Sequence, residues 1–325
     1  MPDPQLLADP SSLALRYPQY GDCVKGLVPA REVSLLSGSS GAGKTTLLMQ
    51  LLSALQRGEP FLDRFEGPAD LTVGIVGADR SFRTTLVLAE RAGADLQRCH
   101  LRSLVDDRDI DIQALRYRSF DLLLSLIKGL VDKGCTLLLV DPLVVFFGGD
   151  IKSYFANAAP LIALNRLCND YGLTILGTHH ATKARTDQGF KRRQDRIGGS
   201  GGALQGFSST QLFLDTPEEA DNPPDGASVL RIIHHLHPPL DIPLQRGPTG
   251  LFLPIPLAEA APPPSLDDTA LRILEAIPPA TEVRRAFLYG KVPDVPQATF
   301  DRRLLDLTEA GIVVKARQGY YRRRA

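Results

Sequence analysis

Short apolar runs alternate with amphipathic segments through most of the chain. The runs predict buried strands at residues 32–37, 71–76, 101–104, 136–140 and 173–176. The segments between them predict helices at 45–55, 84–91, 112–133 and 155–170. Strands alternating with helices are typical of a mostly parallel sheet covered by helices. Further runs at 211–214, 229–233 and 251–254 predict antiparallel hairpins that complete the sheet, so the predicted fold class is α/β.

A Pro- and Ala-rich stretch at residues 256–265 predicts a linker between two domains, 1–255 and 266–325. In the second domain the pattern predicts helices at 266–277, 281–288 and 297–310, followed by a hairpin at 312–322. Three helices with a β-hairpin are typical of a winged helix, which binds nucleic acid or docks a protein. Both functions stay open. The candidate nucleic-acid contacts in this domain are Arg302, Arg303, Lys315 and Arg317.

Composition narrows the class of protein. With 325 residues, 43% hydrophobic and 23% charged, the chain resembles an ordinary globular protein. A formal net charge of +0 means that any nucleic-acid site must be local. The four cysteines contain no C-x-x-C pair, which favours reduced thiols over a disulfide framework or a cysteine zinc site. The acidic, Pro-rich start does not resemble a signal peptide, and no apolar run approaches the roughly 18 residues of a membrane span. We therefore expect a cytoplasmic protein without membrane contact.

A glycine-rich loop lies between the first predicted strand and the first predicted helix. It reads Gly38, Ser39, Ser40, Gly41, Ala42, Gly43, Lys44, Thr45, Thr46 and fits the phosphate-loop pattern G-x-x-x-x-G-K-[ST]. The glycines let backbone N–H groups point at a phosphate. Lys44 can reach the β- and γ-phosphates, and the Thr45 hydroxyl can bind Mg²⁺. The predicted cofactors are ATP and Mg²⁺.

Two later strands end in candidate catalytic residues. Asp141 follows an apolar run, at the carboxyl end of a strand where ligands bind in open α/β sheets, and can hold Mg²⁺ through water. His179 and His180 follow the strand at 173–176, and at least one of them can sense the γ-phosphate. The alternative is that one histidine packs in the core and the other faces solvent.

Residues 181–202 lack apolar periodicity and are rich in basic side chains. The candidate contacts to single-stranded DNA in this segment are Lys183, Arg185, Lys191, Arg192, Arg193 and Arg196. A solvated surface loop explains the same charges equally well. Phe146 and Phe147 form a second candidate, since aromatic rings stack on bases, but they are also suited to a buried position.

These motifs together resemble the RecA-like ATPases, and most of all the hexameric replicative helicases of the plasmid RepA type. The resemblance covers roughly the first three quarters of the chain and is carried by the phosphate loop, Ala78 followed by an acid, the run ending in Asp141, and the paired histidines. It implies a RecA-like P-loop core, a homo-oligomeric ring or filament, and Asp79 as the residue that activates water. An aspartate stands where that family usually has a glutamate. The resemblance also implies a cation supplied by a neighbouring subunit. Arg231 or an arginine of the basic segment at residues 181–202 is a candidate for this role.

Three functions fit the sequence. The first is a Mg²⁺-ATP-dependent motor on single-stranded DNA, with duplex DNA as an option for the winged helix. The second is a nucleotide-gated DNA-binding protein with slow hydrolysis. The third is an ATPase that acts on a protein. Stimulation of ATP turnover by DNA distinguishes the first from the second, and salt-dependent DNA binding counts against the third.

Overall fold

The structure is a computed structural model that describes residues 21–79, 81–111, 119–147, 154–181, 185–186, 189–190, 204, 206–217, 219, 227–235, 237–255, 268–278, 281–309, 312–317 and 319–323. The chain divides into two compact units, Met1–Ile255 and Pro256–Ala325. Among the described residues, no helix combines the length and apolarity that crossing a membrane requires.

The larger unit is built on a nine-stranded sheet. The strands of the unit are β1 (Asp22–Val24), β2 (Val28–Pro29), β3 (Val33–Gly38), β4 (Val73–Gly77), β5 (Cys99–Ser103), β6 (Leu137–Asp141), β7 (Thr174–His180), β8 (Arg185–Thr186), β9 (Gly189–Phe190), β10 (Thr210–Asp215), β11 (Ser228–His234), β12 (Leu240–Arg246) and β13 (Phe252–Pro254). Its helices are α1 (Lys44–Arg57), α2 (Phe82–Ala92), α3 (Ser119–Val131) and α4 (Tyr154–Tyr171).

The strand order is β13-β12-β11-β10-β3-β7-β6-β4-β5. From β10 to β5 all neighbours are parallel, and β11, β12 and β13 continue the sheet as antiparallel neighbours. The predicted α/β class with antiparallel completion is confirmed, and the arrangement fits a RecA-like P-loop core. Because β3 lies between β7 and β10, the loop that follows β3 is placed at the middle of the sheet.

Side-chain alternation along the central strands separates two apolar cores. Leu36 of β3 and Leu139 of β6 pack in the same core as Leu48 of α1. Leu35 and Leu138 belong to a second core that includes side chains of α3 and α4. Strands that are buried on both faces read as continuous apolar runs, which is why the sequence pattern identified them.

Several described segments differ from the predictions, including the short β8–β9 hairpin within residues 181–202, for which no strand was predicted. The strand at 173–176 was predicted too short, because β7 pairs with β3 as far as His180, opposite Gly38. The strand β12 was not predicted, although its apolar residues alternate as in a half-buried strand, because Pro243 argues against a strand interior. The β1–β2 hairpin was also missed, because each of its strands is too short to show a period.

The cysteines are free thiols, and three of them are buried. Burial raises the pKa of Cys23 and of Cys99 to about 11. Because the thiolate is the reactive form, both side chains are poor nucleophiles at neutral pH. The expectation of reduced thiols fits these positions.

In the part of the smaller unit that the structure describes, there are three helices and a three-stranded antiparallel sheet. Its elements are α5 (Asp268–Glu275), β14 (Val283–Arg284), α6 (Arg285–Gly290), α7 (Gln297–Glu309), β15 (Val313–Arg317) and β16 (Tyr320–Arg323), with the sheet order β14-β16-β15. The prediction of one helix at 281–288 was wrong in its first half, because β14 pairs with β16 there. Ile273, Leu288 and Phe300 lie in the centre of the unit's own apolar core.

Candidate active site

The phosphate loop joins β3 to α1, and two of its glycines have left-handed backbone angles, with φ of 80° at Gly41 and 106° at Gly43. A Cβ on Gly43 would lie 2.5 Å from Nη2 of Arg246 and 2.8 Å from the ring of Phe252, so only glycine fits. Gly43 is also the N-cap of α1. Having no side chain, it leaves the first N–H groups of the helix to bind a phosphate.

Lys44 lies inside this loop and is only 5% exposed. Its Nζ donates hydrogen bonds to the carbonyl oxygens of Gly38 and Ser39, each at 2.9 Å. These contacts hold the ammonium group at the middle of the loop. A phosphate bound by the loop would therefore meet a positive charge that is already in position.

Asp141 is held by two hydroxyl groups at the carboxyl ends of the parallel strands. The Thr45 hydroxyl donates to Oδ2 of Asp141 at 2.6 Å, and the Thr178 hydroxyl donates to Oδ1. A hydroxyl and a carboxylate side by side are hard oxygen ligands of the kind that Mg²⁺ prefers. The residues present therefore fit Mg²⁺, which Thr45 would bind directly and Asp141 would hold through water. No motif in the sequence points to this contact of Thr178, which the structure alone reveals.

His180 lies between the phosphate-loop lysine and Asp79. Its Nδ1 is 3.4 Å from Nζ of Lys44, and its Nε2 is 3.8 Å from Oδ2 of Asp79. An ammonium group can only donate, so Nδ1 must accept and the ring proton resides on Nε2, which faces the carboxylate. One imidazole thus lies between the group predicted to bind phosphate and the group predicted to activate water.

The two adjacent histidines have different environments. His180 lines a cavity of about 250 Å³ together with Asp79, Asp141 and residues of the phosphate loop. His179 is 4% exposed. Successive side chains of a strand point to opposite faces, so only one of the pair reaches the cavity. Of the two candidate sensors, the structure brings only His180 to the phosphate loop.

Other residues of the loop take different positions. Gly41, Gly43, Lys44, Thr45 and Thr46 line the cavity. The Ser39 hydroxyl instead donates to Oε2 of Glu219 at 3.1 Å. The predicted loop therefore divides into residues that face a bound nucleotide and residues that fasten the loop to the rest of the unit.

Arg246 is a functional candidate that the sequence did not reveal. Its Nη2 donates to the carbonyl oxygen of Ala42 at 2.6 Å, and its guanidinium carbon is 4.5 Å from the centre of the Phe252 ring. It lines the same cavity, within reach of a bound nucleotide. Arg246 lies more than 200 positions from the loop in the sequence and belongs to no recognised motif. Its position beside the loop is therefore seen only in the folded sheet, where β12 places it. By contrast Arg231 is paired with Asp241, at 3.0 Å.

The predicted DNA contacts are only partly described. Lys183, Lys191, Arg192, Arg193 and Arg196 lie outside the described residues, and Arg185 is placed in β8. On α7, Arg302 is exposed, whereas Nη1 of Arg303 is 2.9 Å from Oδ2 of Asp306. Lys315 and Arg317 are placed in β15.

The two aromatic residues that were candidates for base stacking lie in the core. Phe146 and Phe147 are both buried in the second core of the larger unit. A ring that is buried in a core cannot stack on a base, so the structure favours the core alternative for both.

Comparison with known proteins finds a matching family model and a distantly similar solved structure. A family model described as an AAA domain matches residues 4–186, which is more than half of the chain. Among solved structures, a KaiC-like protein from Pyrococcus horikoshii OT3 is 16% identical, with 72% of this chain and 94% of that chain covered and a TM-score of 0.44. That likeness is too distant to support an argument. None of the curated proteins matches the chain.

Proposed function

The chain belongs to the AAA domain family of P-loop ATPases. We propose that its ATP hydrolysis is coupled to DNA, as in a replicative-helicase-like motor on single-stranded DNA. The observation that carries the proposal is the connection through His180. It links Lys44, which would bind the β- and γ-phosphates, to Asp79, which would activate water. Such a link can report the loss of the γ-phosphate to the rest of the chain.

Each polar group of the cavity has a distinct role in this proposal. Lys44 and the N–H groups of the loop neutralise the charge that develops on the phosphate oxygens. Thr45 and Asp141 would hold Mg²⁺, which would supply positive charge to neutralise the phosphates. Asp79 orients the attacking water and accepts its proton. His180 lies beside Asp79, with Nε2 3.8 Å from Oδ2, and would direct the carboxylate into the cavity once the two side chains approach to hydrogen-bond distance.

The DNA part of the proposal has its support in the smaller unit and in the basic segment at residues 181–202. The three helices and the three-stranded sheet of the smaller unit fit a winged helix. Arg302 on α7 is exposed, as are Arg322 and Arg323 on β16. Exposed arginines on one small unit are suited to phosphate contacts. We assign single-stranded DNA to the basic segment and duplex DNA to the winged helix.

Assembly into a ring or filament of identical copies is part of the proposal. Arg246 places a cation over the phosphate loop within one chain. A second cation from a neighbouring copy would complete the neutralisation of transition-state charge. Arg231 and the basic-segment arginines are the candidates for that role.

A second candidate function is a nucleotide-gated DNA-binding protein with slow hydrolysis. Asp79 favours it, because its side chain is one methylene shorter than a glutamate and its carboxylate lies 3.8 Å from His180. A base that is set back from the water slows the chemical step while nucleotide binding is unaffected. In that case ATP binding alone would control the contact with DNA.

Steady-state ATP hydrolysis, measured with and without single-stranded DNA, tests the proposal. We expect DNA to stimulate turnover in the natural protein. Lys44→Ala and Asp79→Asn should each lower stimulated turnover by about 100-fold or more, because each removes a group that acts in the transition state. The matched controls are Lys25→Ala and Asp70→Asn, since both side chains are exposed and lie outside the cavity.

The possible outcomes distinguish the two functions, test the role of Asp79 and detect loss of folding. Turnover that DNA leaves unchanged, combined with tight ATP binding, would replace the motor with the nucleotide-gated protein. Turnover that survives Asp79→Asn would contradict the role of Asp79 as the base. Equal loss in the control variants would show that the substitutions act through folding.

A further inference from the structure

A second polar cavity, of about 460 Å³, lies at the opposite end of the sheet from the phosphate loop. Thr210 of β10 pairs with Ser34, near the start of β3, and also with His234, at the end of β11. His234 therefore lies beside the beginning of β3, whereas the phosphate loop follows its end. The cavity is lined by Asp22, His234 and His237, none of which has a role in the nucleotide site.

These three side chains converge on one point. His234 Nε2 is 3.6 Å from Oδ1 of Asp22, and His237 Nε2 is 3.6 Å from Oδ2 of the same carboxylate. The two imidazole rings are 4.5 Å apart, centre to centre. One ligand atom from each residue can be chosen so that all three lie within 4.8 Å of one another.

The separations match those expected around a tetrahedral zinc ion. Zinc binds imidazole nitrogen and carboxylate oxygen at about 2.0–2.2 Å, which places two tetrahedral ligands about 3.4 Å apart. Each imidazole nitrogen is 3.6 Å from a different oxygen of Asp22, which is close to that value and longer than an ordinary N–H···O hydrogen bond. A zinc ion would therefore bind both carboxylate oxygens or draw one of them nearer to the second histidine. A small shift of the side chains would enclose a cation.

The surroundings hold two of the ligands in position. The backbone N–H of Gly26 donates to Oδ2 of Asp22 at 2.6 Å, which orients the carboxylate. Gly26 has a φ of 70° in the turn between β1 and β2, so the hairpin itself directs this N–H. The His234 side chain is 1% exposed and is held by packing. Outer hydrogen bonds of this kind are typical supports of metal ligands.

We propose that Asp22, His234 and His237 form a site for a transition-metal dication, with Zn²⁺ as the best match. Two imidazoles and one carboxylate select such ions over Mg²⁺, which prefers oxygen ligands. The open cavity leaves room for water as the fourth ligand. The metal fastens the β1–β2 hairpin, which leads into β3, to the end of β11. Its role is structural and does not depend on the proposed function.

Cobalt titration of the full chain, without a polyhistidine tag and after dialysis against a chelator, tests the site. We expect one Co²⁺ per chain, with a visible spectrum that lacks the near-ultraviolet thiolate band, since no cysteine is a ligand. Zn²⁺ should displace the Co²⁺ and raise the thermal unfolding midpoint, because it binds the folded chain.

The variant His237→Ala gives the clearest test of metal binding. The His237 side chain is 50% exposed, so its removal leaves the core intact. His237→Ala should weaken Co²⁺ binding by at least about tenfold and abolish the stabilisation by Zn²⁺. The matched control is His100→Ala, which removes a histidine from β5 at the far edge of the sheet and should change neither readout. His234→Ala should agree with His237→Ala if the variant folds.

The proposal is overturned by any of three results. The first is the absence of stoichiometric Co²⁺ binding. The second is binding that His237→Ala leaves unchanged. The third is a thiolate band, which would assign the metal to a cysteine.

Discussion

At the scale of single residues, three side chains of the candidate active site depend on one another. Lys44 Nζ is 3.4 Å from Nδ1 of His180, and the other ring nitrogen of His180 is 3.8 Å from Asp79. A phosphate that binds near Lys44 can therefore affect Asp79 through His180, without touching Asp79 itself. We infer that His180 is a positioning residue for the carboxylate proposed to activate water, whereas its neighbour His179 is buried away from the cavity.

The first prediction concerns this pair of histidines. His180→Ala should lower kcat about 10- to 100-fold with little change in KM, because a misplaced catalytic group costs rate more than binding. His180→Gln should restore part of the loss, since its amide can both accept from Lys44 and donate to Asp79. Steady-state kinetics with the three proteins measures both effects.

His179→Ala provides the comparison. It should lower the thermal unfolding midpoint, because it empties a buried position, while kcat of the folded fraction stays unchanged. If His179→Ala lowered kcat and His180→Ala did not, the assignment of the two residues would be reversed.

At the scale of elements, α7 shows how one helix divides its side chains. Leu304 is 2% exposed and packs in the core of the smaller unit, whereas the adjacent Leu305 is 55% exposed. The helical period places consecutive residues on different faces. The two leucines are therefore a matched pair that differs in burial and not in chemistry.

The second prediction uses this pair. Leu304→Ala should destabilise the smaller unit by about 2–5 kcal/mol, because it removes buried methyl groups and leaves a cavity. Leu305→Ala should change the stability by about 0.5 kcal/mol or less. Hydrogen exchange of the α7 amides, followed by mass spectrometry, reports the opening of this unit alone. Equal exchange in the two variants would contradict the packing of Leu304.

At the scale of the whole molecule, the open question is assembly. The proposed motor requires that one copy contributes a cation to the nucleotide site of the next. A nucleotide bound between two copies stabilises their association, since it binds the assembled form better than the separate chains. Assembly should then depend on the phosphate loop.

The third prediction follows from that dependence. In sedimentation velocity, the natural protein should form a larger species with Mg²⁺ and a non-hydrolysable ATP analogue than without them. Lys44→Ala should remain small under both conditions, and Lys25→Ala should behave as the natural protein. A sedimentation coefficient that is independent of the nucleotide would argue against a nucleotide-bridged ring or filament.

Features that depend on neighbouring residues could be predicted from the sequence alone. Apolar runs gave the α/β class and most of the sheet, since strands buried on both faces need no alternation. The phosphate loop was evident because its glycines, Lys44 and Thr45 are consecutive and lie between a strand and a helix. Asp141 followed from its place at the end of an apolar run.

Features that depend on strand register and on pairing between distant residues emerged from the three-dimensional structure. It alone separated His180, which faces the cavity, from His179, because the face of a strand residue is fixed by the pairing of β7 with β3. It brought Arg246 to the phosphate loop through β12, and Asp22 to His234 and His237 through the end of β11. These contacts join residues some 200 positions apart, where no local period exists, so the sequence pattern carries no signal for them.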